Sequence, residues 1–170
     1  MQTNILNLSH RKYINFDFFF YDLIVSLPRI MCIEFISNID FVLSSKKKHI
    51  NWLINVANLE GYKIKNVVYV FLSDDELKSL NVKYLNRDYY TDVLSFNDSI
   101  GKEIKGDIAI SIKRVKENAK QYSPSFDEEL RRVMVHGLLH FMNYKDSTKE
   151  EIALIRAKEE KMLGLFHVKQ

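Results

Sequence analysis

The sequence contains little of what marks exported or linker-rich proteins. Cys32 is the only cysteine, and the 170 residues include two prolines and five glycines. A lone cysteine cannot form an internal disulfide, so a reducing cytoplasm is the expected compartment. So few prolines and glycines leave little material for long flexible linkers. The length is within the range that one hydrophobic core serves, so we expect a single domain.

Long apolar runs are also lacking. The most aromatic stretch lies within residues 1–30, where Asp17 and Asp22 interrupt it and no small-residue cleavage site follows. A signal peptide needs an unbroken apolar stretch of about 7–15 residues, and a membrane span needs about 20. We therefore expect neither export nor a membrane anchor.

The composition of the first thirty residues differs from that of the remaining chain. Met31 directly precedes the first predicted strand, residues 32–36. We interpret residues 1–30 as an upstream extension that packs poorly, and residues 31–170 as the single working domain. The alternative is an amphipathic N-terminal segment that covers part of the core.

Composition and charge are those of a globular protein. Hydrophobic residues make up 46% and charged residues 28%, which is enough apolar material for a buried core. The 25 Lys and Arg residues against 22 Asp and Glu give a net charge of +3. That mild excess permits a nucleic-acid partner without indicating one.

Cap signals predict several helices. One helix is expected from Ser44 or Ser45 through Leu59, with Gly61 past its end. Three Ser-x-x-Glu capping boxes predict further helix starts, because serine and glutamate there satisfy unpaired backbone donors. The boxes begin at Ser73, Ser125 and Ser147.

Strands are expected between these helices. Besides residues 32–36, the runs 67–72, 92–96 and 107–112 are rich in Val, Ile, Tyr and Phe. The order of elements predicts an α+β (mixed α/β) domain with a single small sheet of about four strands and helices packed on it.

The closing helix is expected from about Thr148 to Gly164. It places Ile152, Ile155 and Met162 on a common side. Its charged residues are expected to form a solvated face. They are Lys149, Glu150, Glu151, Arg156, Lys158 and Glu159.

The segment that carries chemistry is HGLLHFMNYKD at residues 136–146. His136 and His140 lie four residues apart in a predicted helix, so both imidazoles project from one face toward a shared metal ion. The helix should end near Asn143, which tolerates the left-handed conformation, and the turn would let Asp146 supply a third ligand. Two imidazoles and one carboxylate with an open fourth position are typical of a catalytic zinc site. The alternatives are an incidental histidine pair and an aspartate that is a plain turn residue.

One common zinc chemistry is disfavoured. Zinc proteases with the pattern His-Glu-x-x-His place a general base directly after the first histidine. Gly137 occupies that position here and has no side chain. Peptide hydrolysis by that mechanism therefore lacks its base.

From about residue 31 to residue 162 the chain resembles the YbeY family, the bacterial metal-dependent endoribonucleases of ribosomal RNA maturation. The family signature is HGxxHxxGYDH, and residues 136–146 follow it with substitutions. Further matching blocks occur in the same order: residues 91–96 (TDVLSF), 106–111 (GDIAIS) and 128–130 (EEL).

Several positions depart from the family pattern. Asp146 stands where the third ligand is usually histidine, which adds negative charge, makes the metal less electrophilic and could admit harder metals. Asn143 replaces the usual turn glycine. The family arginine expected after Tyr84 is missing, because Leu85 occupies its position and Arg87 lies two residues on.

The resemblance implies a single-strand-specific, zinc-dependent endoribonuclease that processes ribosomal RNA, in maturation of the 3′ end of 16S rRNA and in ribosome quality control. It implies one Zn²⁺ per chain, held by His136, His140 and Asp146, with both histidines acting in catalysis through the metal. Single-stranded regions of ribosomal RNA and ribosome-associated proteins are the expected partners. No membrane partner and no specificity for DNA are expected.

Basic residues near the signature are candidates for phosphate contact. Arg132 precedes His136 by one helical turn, and Arg87 lies beside Tyr89 and Tyr90. We include both arginines as candidate catalytic residues, although Arg132 could equally pair with a carboxylate and Arg87 could be a solvated loop residue. Other basic runs are Lys46-Lys47-Lys48, Lys113-Arg114 and Arg131-Arg132.

Two other functions stay open from the sequence. One is a ribosome-binding or RNA-binding assembly factor with a structural metal and little nuclease activity, which the substitution at Asp146 and the missing arginine favour. The other is a metal-dependent hydrolase of a different substrate, such as a small phosphoester or an amide. The histidines alone do not exclude it.

Overall fold

A computed structural model describes residues 5–7, 32–122 and 125–167. Residues 5–7, 32 and 122 are described by their backbone alone. The strands are β1 (Ile5–Asn7), β2 (Cys32–Ser37), β3 (Lys63–Leu72), β4 (Val93–Asn97) and β5 (Glu103–Ser111). The helices are α1 (Lys46–Leu59), α2 (Asp74–Leu85), α3 (Ile112–Tyr122), α4 (Phe126–Phe141) and α5 (Lys149–Phe166).

The strands form one sheet in the order β1-β4-β5-β3-β2. Strands β2, β3 and β5 run parallel, and β4 is antiparallel to β5. The short β1 pairs in parallel with the edge of β4 and adds a fifth strand to the four expected. The α+β class is confirmed.

Each face of the sheet has its own core, because successive side chains along a strand point to opposite faces. In β3, Val67, Tyr69 and Phe71 join the larger core with α1, α4 and α5. Val68 and Val70 join the smaller core, which α2 covers. The helix that carries both histidines is therefore packed on the larger face.

Helix α4 is the central helix of that face, and all its residues from 133 to 141 are buried. Gly137 allows this close approach to the sheet. A Cβ at that position would lie 2.8 Å from Cγ2 of Ile108 in β5 and 3.2 Å from Oγ of Ser95 in β4. The glycine thus sets how closely α4, and with it the histidine pair, packs on the sheet.

The three predicted capping boxes have different outcomes. Ser73 forms the expected capping box with Glu76, and the Ser125 side chain accepts the backbone N–H of Glu128. The box predicted at Ser147 is wrong by one residue. Thr148 is the N-cap and pairs reciprocally with Glu151, because the extended backbone that precedes the helix falls at Thr148 (φ −107°, ψ 166°).

The predicted upstream extension lies outside the described residues, apart from the backbone of β1. Within the described ranges, no helix combines the length and the apolar character needed to cross a bilayer.

Candidate metal centre

The three predicted ligands meet at the C-terminal end of α4. The Nε2 atoms of His136 and His140 lie 3.0 Å apart, and Oδ2 of Asp146 lies 3.9 Å from each of them. All three side chains are buried, with exposed fractions of 8%, 0% and 5% respectively. One ligand atom from each falls within 4.8 Å of the others, so a single ion can contact all three.

The turn after α4 brings Asp146 back to the histidines. Asn143 has a φ of 67°, the left-handed conformation that the sequence predicts there. The N–H of Asn143 donates to the carbonyl of His140, and the N–H of Tyr144 donates to that of Leu139. These bonds close the helix and reverse the chain.

The hydrogen bonds on the far side of each ring fix which nitrogen faces the centre. Nδ1 of His140 donates to the carbonyl of Tyr144 at 2.8 Å, and Nδ1 of His136 donates to the carboxylate of Glu159. A neutral imidazole that donates through Nδ1 keeps its lone pair on Nε2. Two lone pairs and a carboxylate oxygen therefore converge, and a divalent cation that prefers nitrogen and oxygen ligands fits that donor set.

Burial also keeps one imidazole in the metal-binding form. Burial, helped by the neighbouring His136, lowers the pKa of His140 to about 4. The ring is therefore neutral at pH 7, as a ligand must be.

Glu159 corrects a prediction, because it was expected on the solvated face of the closing helix. It is only 6% exposed and contacts His136. The reason is helical spacing, since Glu159 lies four residues after Ile155 and three before Met162, both buried. A carboxylate inside an apolar stripe was the signal that would have found it.

Lys158 also departs from the expected solvated face. It is half-buried, and its Nζ donates to Glu60 at 2.7 Å. Lys149, Glu150 and Arg156 are exposed, as expected.

Arg132 lies at the site, and its guanidinium is paired with carboxylates. Its guanidinium donates to both oxygens of Glu129, at 2.7 and 2.9 Å, and to Asp92 at 3.4 Å. It also lies 3.6 Å from Oε2 of Glu159. Burial opposes its charge, but these carboxylates raise the pKa of Arg132 above its ordinary value. Arg132 therefore anchors the carboxylate that orients His136.

A cleft of about 590 Å³ opens beside the histidines. Arg132, His136 and Asp146 line it. So do Asp92 and Asn118, which sequence reasoning did not select as site residues and which hydrogen-bond to each other at 3.2 Å. The cleft provides room for a substrate at the metal centre.

Arg87 is not among the residues that line this cleft. It lies in the loop after α2, where its Nη1 donates to the hydroxyl of Tyr89 at 3.1 Å. The structure therefore does not bring the two candidate arginines together.

Comparison with known proteins identifies the family. The model of the family Endoribonuclease YbeY matches residues 35–167. The chain belongs to the endoribonuclease YbeY family. The resemblance seen in the signature and its neighbouring blocks is confirmed.

Relatives within the YbeY family are similar over most of their length. The protein named Endoribonuclease YbeY in Christiangramia forsetii is 44% identical over 138 residues, which is 81% of this chain and 96% of the relative. Its namesake in Flavobacterium psychrophilum is 46% identical over 138 residues, 81% of this chain and 99% of the relative. The solution structure of a Thermotoga maritima protein shares the fold, with a TM-score of 0.58 and 24% identity over 79% of this chain and 89% of that one.

Proposed function

We propose that this chain is a metal-dependent endoribonuclease that hydrolyses phosphodiester bonds in single-stranded RNA. The observation that carries the proposal is the convergence of His136, His140 and Asp146 beside an open cleft in a YbeY-family chain. Ribosomal RNA is the proposed substrate, with a role in processing the 3′ end of 16S rRNA and in ribosome quality control. Ribosome-associated partners and a cytoplasmic location are part of the same proposal.

His136, His140 and Asp146 would hold one Zn²⁺ per chain. Two imidazole nitrogens and one carboxylate oxygen suit zinc and leave a position for substrate. When bound, such an ion polarises a phosphoryl oxygen and promotes deprotonation of water.

The chain's own residues position the ligands. Glu159 and the Tyr144 carbonyl hold the two imidazole rings, and Arg132 holds Glu159. Gly137 has no side chain at the position where a zinc protease has its general base. Another group must therefore accept the proton of the attacking nucleophile. We keep Arg132 as a positioning residue and Arg87 as a candidate for contact with phosphate away from the cleft.

The decisive experiment is an RNA cleavage assay on the zinc-loaded protein with single-stranded RNA, duplex RNA and single-stranded DNA of one sequence. We expect cleavage of the single-stranded RNA alone. The variant His136→Ala should lose it, while His167→Ala, which changes an exposed histidine outside the cluster, should retain it. Equal cleavage by both variants would assign the activity to something other than this site. RNA binding without cleavage by the zinc-loaded wild type would instead support the assembly-factor alternative.

A further inference from the structure

A second cleft of about 410 Å³ lies at the N-terminal end of α1. The segment before α1, the first turns of α4 and the end of α5 line it. Its lining includes Lys48, Asp127, Arg131 and Phe166. None of these four residues lines the metal cleft.

Arg131 is a buried cation in this cleft. The residue is 9% exposed, and its guanidinium carbon lies 4.4 Å from the centre of the Phe166 ring. In the part of the chain that the structure describes, its Nε has no hydrogen-bond acceptor and no carboxylate forms an ion pair with the group. The adjacent Arg132, by contrast, pairs with three carboxylates. Because a buried, unpaired charge is costly, the environment of Arg131 favours the binding of an anion.

The start of α1 adds positive charge to the same cleft. Ser45, the N-cap, has a left-handed φ of 50°, and its side chain makes no capping hydrogen bond. The first turn contains no acidic residue to balance the positive end of the helix. Instead Lys48 extends over the Phe166 ring, 4.2 Å from its centre. Two cations therefore lie over one aromatic ring, in a cleft that the start of α1 also lines.

The titration of His49, which also lines the cleft, agrees with this positive environment. Burial lowers its pKa, and the charges of Arg131 and Lys48 lower it further. A hydrogen bond to the Ser45 carbonyl and the charge of the exposed Asp127 act in the opposite direction without reversing the shift.

We propose that this cleft binds a phosphate group through the guanidinium of Arg131 and the ammonium of Lys48, beside the positive end of α1. Arginine and lysine both donate charged hydrogen bonds to a phosphate's oxygens, and the positive end of a helix favours its negative charge. The phosphate comes from free inorganic phosphate or from the backbone of an RNA strand. The assignment to an RNA strand rests on the proposed function, whereas the assignment to free phosphate does not.

The test is a titration of the metal-free full chain with inorganic phosphate, at constant ionic strength and against chloride. Trp52 is the only tryptophan, and its ring centre lies 5.4 Å from that of Phe166, so its fluorescence reports on the cleft. We expect a saturable change in fluorescence and a rise in the thermal unfolding midpoint. In Arg131→Met the dissociation constant should rise about tenfold or more, because charged hydrogen bonds are lost. Without phosphate, that variant should be at least as stable as the wild type.

A matched pair of lysine variants distinguishes direct contact with phosphate from a general effect of positive charge. Lys48 lines the cleft, and Lys47, which is also exposed, does not. Lys48→Gln should weaken phosphate binding several-fold more than Lys47→Gln. Equal effects of the two variants would contradict the assignment of Lys48.

A second titration, with a short single-stranded oligoribonucleotide, distinguishes the sources. Binding of the oligonucleotide that depends on Arg131, without a saturable response to inorganic phosphate, assigns the site to an RNA strand. The proposal is overturned if the wild type responds to neither ligand, or if Arg131→Met binds both ligands as tightly as the wild type does. The protein is metal-free in both titrations, so either outcome leaves the cleavage test of His136 unaffected.

Discussion

Asp146 and Glu159 are two buried carboxylates that meet the histidine pair from different sides. Oδ2 of Asp146 lies 3.9 Å from the Nε2 atoms of both rings, on the side where an ion would bind. Glu159 accepts the Nδ1 proton of His136 on the opposite side of that ring. Asp146 thus has the position of a candidate ligand, and Glu159 has that of a group that orients His136.

At Glu159 we predict a loss of metal affinity without a loss of fold. Glu159→Gln keeps the size of the side chain but weakens its hold on the imidazole, so zinc affinity should fall by roughly 10–100-fold. Competition with a chromophoric chelator measures this affinity, and circular dichroism checks the fold. Glu160→Gln, at the exposed neighbouring position, serves as the control. Affinities that match in the two variants would contradict an orienting role for Glu159.

The ligand assignment itself predicts the metal content of two variants. His140→Ala should purify without zinc, because a catalytic site needs three protein ligands. Asp146→His should retain about one zinc per chain, because imidazole replaces carboxylate at the same position. Elemental analysis beside the wild type measures both. Full zinc content in His140→Ala would refute the assignment, and loss of zinc in Asp146→His would give Asp146 another role.

His49 predicts a pH dependence of stability. Burial lowers its pKa in the folded state below the value of 6.5 that the unfolded chain has. The unfolded state therefore binds a proton first as the pH falls, so the stabilisation is complete above pH 6.5 and is lost as the pH drops through the folded pKa. Urea unfolding with a chelator present should show that the free energy of unfolding falls less on acidification in His49→Gln than in the wild type. The exposed His167, changed in the same way, should leave the loss unaltered.

At the scale of elements, the contact between α4 and the sheet is the tightest constraint on the site. Gly137→Ala adds a methyl group where Ile108 and Ser95 leave no room. Overpacking of this kind should lower the free energy of unfolding by about 1–3 kcal/mol, measured by urea denaturation. Gly164→Ala is the control, because α5 has open space there and alanine favours helix. If the two variants lost equal stability, the packing explanation would be wrong.

Local sequence signals predicted the ends of helices well where residues close by in the sequence determine them. Serine and glutamate three residues apart at Ser73 satisfy each other, and Gly61 adopts the positive φ of 75° that ends α1. The apolar runs located β3 and β5 but missed their first residues. Polar side chains such as Lys63 and Asn66 belong to β3 because its backbone pairs with β5, a contact that composition does not reveal.

For the whole molecule, residues 31–170 as the working domain stay a prediction. Mass spectrometry of the native protein checks it, with the expected N-terminal peptide beginning at Met31. A peptide from within residues 1–30 would instead favour the alternative, in which an N-terminal segment covers part of the core.

The sequence by itself determined the family and which three side chains come together as candidate ligands. His136 and His140 share a face because of helical spacing, and the left-handed Asn143 returns the chain to Asp146 within three residues. These relations are local, so helix and turn geometry suffice to predict them.

Only the tertiary structure decided what surrounds that trio. Glu159 reaches His136 across 23 residues, Arg132 reaches Asp92 across 40, and the cleft at Arg131 forms where α1, α4 and α5 meet. Each depends on which helix faces come together when apolar surface leaves water. Periodicity can show that a face is buried, but its partner is fixed by the packing of the whole chain.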